Sequence, residues 1–324
     1  MNGLCPDPPR IRFASPQYHY TFGPHAPGIR VAPGARLAVV CPDSDNGSSD
    51  GGLLPPSRRQ APTGAPLFEG NPMAGPIWVE GAQPGHTLAV TIDAVHLDRA
   101  RGQTGLGPAH GAVPDHLLVP PDGACGTSVP RHLYEWHIDP DAGAASVTNP
   151  LGDRSLRVPL NPFVGCLGVC PAWGQAVSTL FAGPHGGNLD LPLLRPGTTV
   201  LLPVHHPGGL LQLGDIHAAQ GDGELIGGGI ETSGVIDCTV ELEAGSGPLR
   251  LRDAETRTAI GVAGEVRLAV TQACGALVQW LADDPGLNRW DAYLFVSQTV
   301  RLTMGQLNLA PYAVAASVAL PSGD

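Results

Sequence analysis

The run GDIHAAQGDGE, residues 214–224, gathers Asp215, His217, Gln220, Asp222 and Glu224 among glycines. Residues two apart in an extended segment point the same way, so Asp215 and His217 share a face and present a carboxylate and an imidazole to one ion. Asp222 and Glu224 stand in the same relation one turn further on. Upstream, GPHGGNLD (183–190) adds His185 and Asp190 on a glycine-rich loop whose backbone can approach a small ligand closely, and Glu231 follows downstream. Mixed His/carboxylate ligation suits Zn²⁺ or another divalent ion, whereas a purely carboxylate set would suit Ca²⁺. A bound Lewis acid lowers the pKa of its water, and a neighbouring carboxylate carries protons. The plainer alternative is that these aspartates cap their own glycine turns and the histidines are core hydrogen-bonders. Spacing alone leaves both open, and geometry separates them. In the plainer case the carboxylates are satisfied by their own turn amides and no cleft faces them.

Other candidates are weaker. Adjacent His205 and His206 face opposite ways on a strand, so at most one joins a given site. His19 and His25 read as surface or aromatic-packed histidines. Asp43 and Asp45 in PDSDNG resemble part of a Ca²⁺ loop, but no glutamate follows at the required distance, so a turn is expected. Cys166 and Cys170 lack a second Cys/His pair at zinc-finger spacing and read as buried thiols. No serine sits in a G-x-S-x-G setting.

Composition narrows the chemistry. All 18 basic residues are arginine, which excludes Schiff-base lysines, a Walker lysine and the lysine-containing Ser–Ser–Lys and Cys–Glu–Lys amidase sites. A net charge of −11 without a basic run argues against nucleic acid or an anionic membrane as partner. The N-terminus shows neither a basic n-region nor an apolar h-region, and no apolar stretch reaches the ~18 residues of a membrane span. Seven irregularly spaced cysteines fit a reducing cytoplasm.

The elements that must carry these residues read as mostly β. Glycine (44) and proline (34) are abundant, yet 42% hydrophobic residues in strand-like runs argue for a turn-dense globular protein. VAPGARLAVV (31–40), AQPGHTLAVTI (82–92) and LRPGTTVLLPV (194–204) each place a Pro-Gly turn before a β-prone run. A β-sandwich or barrel-like assembly is expected rather than βαβ winding. In 227–247, Val235, Val240 and Leu242 are apolar among polar neighbours, and EWHIDPDAG (135–143) predicts two strands around a turn with Trp136 as core. Segments 42–66 and 98–116 read as long loops. Two late helices are expected: one in 266–286 with Val270, Cys274, Leu277 and Leu281 on one face, stopped by Asp283–Gly286, and one in 289–308 with Asp291 near its start. No domain boundary stands out. Residues 1–324 read as a single domain, with an N-terminal β subdomain (1–150) and a site-bearing part (151–324) as the other division.

The ordered stretches across 181–231, FAGPHGGNLD, then LRPGTTVLLPV, then GDIHAAQGDGE and the downstream Ile230-Glu231, resemble the acetamidase/formamidase family. PGARLAVVCPDSDNG, IWVEGAQPGHTLAVTI, DAYLFVSQTVRLTMGQLN and VAASVALP are similar to its flanking segments. The resemblance implies a β-rich fold of its own type, a homodimer or larger homo-oligomer, and metal-dependent hydrolysis of a short amide to carboxylate and ammonia. Carried over by motif, His185, Asp190, Asp215, His217 and Glu231 supply the metal ligands and the general base; His217, Asp215, His185 and Asp190 are taken as the ligands, and Glu231 or Glu224 as the group that moves the proton. Gly186, Gly187 and Asn188 offer donors to the developing oxyanion, and Gln220 joins them on the substrate. Zn²⁺ is the expected ion, with Ca²⁺ as a possible second, structural one. The sequence departs from the family where His205-His206-Pro207-Gly208-Gly209-Leu210 replaces an apolar F-V-P-G-A-L. That departure leaves open a different amide or ester, a sugar-derived or lactone substrate, or a non-catalytic protein that keeps a structural ion.

Overall fold

The computed structural model describes residues 9–60, 70–119, 128–283 and 287–320. Two large sheets carry the chain. At the heart of the nine-stranded sheet lie Ala35–Cys41, Gly234–Glu243, Thr87–Leu97 and Thr199–Pro203, in that order. Three of these are the strands announced by Pro-Gly. Gly34, Gly85 and Gly197 turn at φ of 85°, 96° and 91°, which costs glycine nothing.

The second, eleven-stranded sheet runs from Arg157–Pro159 through His132–Asp139, Arg101–Leu106, Glu231–Thr232, Leu211–His217 and Phe163–Gly168 to the hairpin of Gly186–Asn188 and Ala182–Gly183. One apolar core joins the two sheets, with Leu37, Val39, Leu88, Val90, Ile92, Ile236 and Val240 meeting Phe163, Leu167, Leu211, Leu213 and Ile216. Strands from before and after residue 150 alternate in both sheets. The fold is therefore the expected β-sandwich with few helices.

The helices Val266–Ala282 and Arg289–Thr299 pack on Ala259, Ala316 and Val318 of the nine-stranded sheet. The first buries Ala269, Ala273, Leu277 and Leu281, so Val270 and Cys274 lie beside the buried stripe rather than in it. The helix backbone approaches the sheet closely there, since a Cβ on Gly261 would come 2.0 Å from Ala269 O. The second helix stops at Thr299 instead of continuing to 308. Val300 turns extended and Arg301–Met304 pairs with Tyr312–Ala319.

Three further readings are corrected. The supposed loop 98–116 contains the strand Arg101–Leu106, disguised by Gly102 and Gly105. Val235 lies on the opposite face from buried Ile236, Cys238 and Val240, as alternation demands. Ile138, not half-buried Trp136, is the core residue of the 132–139 strand. Residues 61–66 and 284–286, parts of the predicted loop and helix stop, lie outside the described residues.

Candidate active site

Leu211–His217 is buried along its whole length and ends at the imidazole on which the site is centred. Its neighbour Phe163–Gly168 pairs with it antiparallel, and Phe163 sets its ring edge against His217 at 5.0 Å between centroids. On the other side Glu231 pairs directly with His217. Register alone therefore delivers Glu231 to His217, with Glu231 Oε1 3.1 Å from His217 Nε2. Asp215 Oδ1 lies 3.5 Å from the same nitrogen.

Asp190 and Glu224 arrive from outside the strand. Asp190 follows the Gly186–Asn188 strand, and its amide and that of Leu189 both donate to Gly165 O. The loop 218–230 folds back through Gly223, whose amide donates to Met304 O and whose carbonyl accepts from Leu307 N. Glu224 is buried there beside Asp190. Donor atoms of Asp190, His217 and Glu224 lie within 4.8 Å of one another, as do those of Asp215, His217 and Glu231. Four carboxylates thus surround one imidazole.

Three of those carboxylates sit on backbone that L-residues avoid: φ is 46° at Asp190, 60° at Asp215 and 47° at Glu224. Such strain persists where surrounding structure over-determines it, and it clusters at functional sites. At Asp215 it also breaks the simple alternation from which a shared face with His217 was expected. The two side chains still meet, with Asp215 Oδ1 3.5 Å from His217 Nε2.

Burial pushes the Asp190 carboxyl well above its usual range, reinforced by Glu224 and Asp215. Glu224 is pushed up to about 8, by burial first, against the pull of His217 and with Glu231 and Asp215 adding to the rise. Burial also raises Glu231. Desolvation alone would lower His217, but Glu231 and Asp215 outweigh it and hold the imidazole well above its ordinary value. The strongest charges acting on these carboxyls are His217 and one another, not an arginine.

Buried acids without enough positive charge are costly unless a cation joins them. Asp190 Oδ1, Glu231 Oε2 and His217 Nδ1 are buried and unpartnered among the described residues. The donor set therefore fits a divalent ion held by mixed imidazole and carboxylate ligands. Nor are the acids satisfied by their own turns. Gly229 N donates to Glu231 Oε1 at 2.8 Å, but Asp215 is held by a distant amide, and a cavity of about 650 Å³ opens onto Asp215, His217, Glu224 and Glu231.

That distant amide belongs to Asn71, a residue the motifs did not single out. Asn71 Nδ2 donates to Asp215 Oδ2 at 2.8 Å and to Asn188 Oδ1 at 2.9 Å, while Asn188 Nδ2 donates to Asp190 Oδ2 at 2.6 Å. Two asparagines thereby clamp the two aspartates. Only its place in a glycine-flanked Gly70-Asn71-Pro72 turn could have marked Asn71 beforehand.

The remaining expected residues divide. Gln220 Nε2 donates to Asp190 O at 2.8 Å, so it braces a site residue. Asn188 lines the cavity, but Gly186 and Gly187 are paired within the sheet and do not. Their absent side chains serve close packing: a Cβ on either would lie 2.3 Å from a backbone carbonyl. His185 is in neither ligand group. It sets its ring against Phe22, and burial, with His205 adding, lowers it to about 4. Asp222 is exposed, unlike Glu224. Asp43 is a turn residue that takes Gly47 N and the Arg99 guanidinium, and Asp45 accepts from Gln103. His19 and His25 stack on each other at 4.0 Å, and Cys166 and Cys170 are buried thiols.

A profile of the Acetamidase/Formamidase family matches residues 169–250, the segment that supplies most of this cluster. Over that segment the chain is similar to the acetamidase/formamidase family. It is 28% identical over 264 residues to the formamidase of Methylophilus methylotrophus, covering 70% of this chain and 64% of that one. It is 51% identical over 206 residues to a putative formamidase of Schizosaccharomyces pombe, covering 51% of this chain and 50% of that one. The chain thus matches about half to two thirds of the length of these relatives. The crystal structure of an acetamidase from Bacillus halodurans superposes with a TM-score of 0.77 at 28% identity, covering 96% of this chain and 97% of that one.

Proposed function

We propose that this protein hydrolyses a short amide to a carboxylate and ammonia, using a divalent ion held by Asp190, Asp215 and His217. One observation carries this reading: four carboxylates crowd one buried imidazole at the foot of an open cavity, three of them on strained backbone. The formamidase and acetamidase relatives point to the same bond. Mixed imidazole and carboxylate donors favour Zn²⁺. When bound, such an ion supplies Lewis acidity and offsets the charge of the acids.

The protein groups have separable tasks. Asn71 spends both N–H bonds on Asn188 and Asp215, which leaves its carbonyl oxygen to accept from the N–H of a substrate amide in the cavity. Glu224, buried beside Asp190 and His217, takes a proton from the attacking water and returns it to the departing nitrogen. Glu231, fixed by Gly229 N and His217, holds the imidazole and shares the proton. Water's oxygen joins the carbonyl carbon, the C–N bond breaks, and the nitrogen leaves as ammonia with one proton of the water; the other comes off the new carboxylic acid, leaving a carboxylate and, once ammonia takes it up, ammonium.

The reading takes residues 1–324 as one unit and includes a homodimer or larger assembly in the cytoplasm. The free thiols of Cys41, Cys166, Cys170, Cys238 and Cys274 support a reducing compartment, and among the described residues no helix is long and apolar enough to cross a membrane. Ammonia release from formamide, acetamide and longer amides tests the activity. Anomalous scattering identifies the ion, and ammonia release that depends on that ion distinguishes a catalyst from a protein with a structural ion alone.

A further inference from the structure

The cavity above the carboxylates, at about 650 Å³, falls within the roughly 300–1,000 Å³ of pockets that enclose drug-sized ligands. Formamide and acetamide offer it only a carbonyl, an amine and at most one methyl. Part of the lining is apolar, from Leu133, Leu180 and Leu309, and a second polar group, Tyr20, Asn46 and Arg59, shares the same space.

Arg59 is well placed to bind something. Its backbone pairs with Tyr18 in a short parallel bridge, and its Nε donates to Leu54 O at 2.8 Å, which fixes the stem of the guanidinium. Tyr20 donates its hydroxyl to Asn46 Oδ1 and lies close enough to feel the charge of Arg59. Other arginines in this region are committed: Arg58 to Ser15 O and the face of Tyr18, Arg99 to Asp43. Among the described residues no carboxylate pairs with Arg59, and its two Nη nitrogens have no acceptor. A held guanidinium with its fork free matches a carboxylate in bidentate fashion.

We propose that the substrate is a short amide bearing a carboxylate at its far end, with Arg59 gripping that carboxylate while the amide lies over the acid cluster. This rests on the amidase reading and narrows its substrate class. The test compares succinamate with butanamide, similar in length but uncharged, on the Zn²⁺-supplemented full chain. It includes wild type, Arg59→Gln and Arg59→Lys. Calorimetric binding of succinamate is measured beside turnover, and a thermal melt checks each variant's fold.

Wild type should favour succinamate in kcat/KM by about ten- to a hundredfold, as expected for hydrogen bonds to a charged group. Arg59→Gln should bring the ratio near one, and Arg59→Lys, which keeps the charge but not the fork, should fall between. Equal use of the two amides by wild type, or a ratio untouched by Arg59→Gln, overturns the proposal and leaves the amidase reading standing. If neither amide is turned over but wild type binds succinamate and Arg59→Gln does not, the ligand class holds and the amidase reading fails. Absence of succinamate binding in all three proteins overturns the proposal as well.

Discussion

Gly165 stands against Asp215 so closely that a Cβ there would lie 2.7 Å from Asp215 Oδ2, and 2.8 Å from Asp190 Oδ1. One missing methyl group makes room for two of the four carboxylates. Gly165 O also accepts from the amides of Leu189 and Asp190, so the same residue positions the backbone of one aspartate and the side chains of both.

Gly165→Ala should therefore abolish ion binding and amide hydrolysis together. Overpacking a buried site typically costs about 1–3 kcal/mol, so the variant should still fold with a lowered melting temperature. Calorimetric titration with Zn²⁺ on the folded variant checks it. Retention of wild-type affinity would show that the crowding is relieved elsewhere.

Asn71→Ala removes the amide that ties Asp215 to Asn188. Groups that orient metal ligands from behind typically contribute about 10–100-fold in affinity or activity. A loss of that size in Zn²⁺ affinity is expected, along with a raised KM if the Asn71 carbonyl also receives the substrate. An unchanged titration would make Asn71 a bystander.

Glu224→Gln separates the proton carrier from the ligands. Zn²⁺ affinity should stay within a few-fold of wild type, while kcat falls by about 10²–10⁴, the usual contribution of a positioned acid–base group. If ion binding collapses in step with kcat, Glu224 is a ligand.

The raised acids make the ion-free protein sensitive to pH. Between its ordinary 4.5 and about 8, Glu224 keeps in the folded state a proton that the unfolded chain has released. Folding stability should thus fall as pH rises through that window, with Asp190 and Glu231, also raised, acting in the same direction. A divalent ion binds the deprotonated acids, so its presence should flatten or reverse the slope. Urea melts across pH 5–8, with and without Zn²⁺, check the sign.

The sandwich was legible because its signals are local: Pro-Gly turns at Gly34, Gly85 and Gly197, and β-prone runs behind them. Part of the site was legible too: Asp215 and His217 were paired by their spacing and do meet, though across a left-handed residue, while the register that sets Glu231 against His217 shows only in the fold. What stayed hidden depends on contacts between distant segments. Asn71 reaches Asp215 across 144 positions, and Gly165 reveals itself only through what a side chain would strike. His185 shares a motif with Asn188 and Asp190, yet the hairpin turns it towards Phe22 instead. On the first helix Leu277 and Leu281 are buried as expected, but Ala269 and Ala273 take the places read for Val270 and Cys274, where the helix backbone comes close against Gly261.

Ammonia release from a short amide, followed while the ion is stripped by a chelator and then restored, bears most directly on the cluster around His217. Turnover should vanish on chelation and return in proportion to bound divalent ion, with His217→Ala neither binding the ion nor releasing ammonia. Undiminished ammonia release from the fully stripped protein would contradict an ion at the centre of this site.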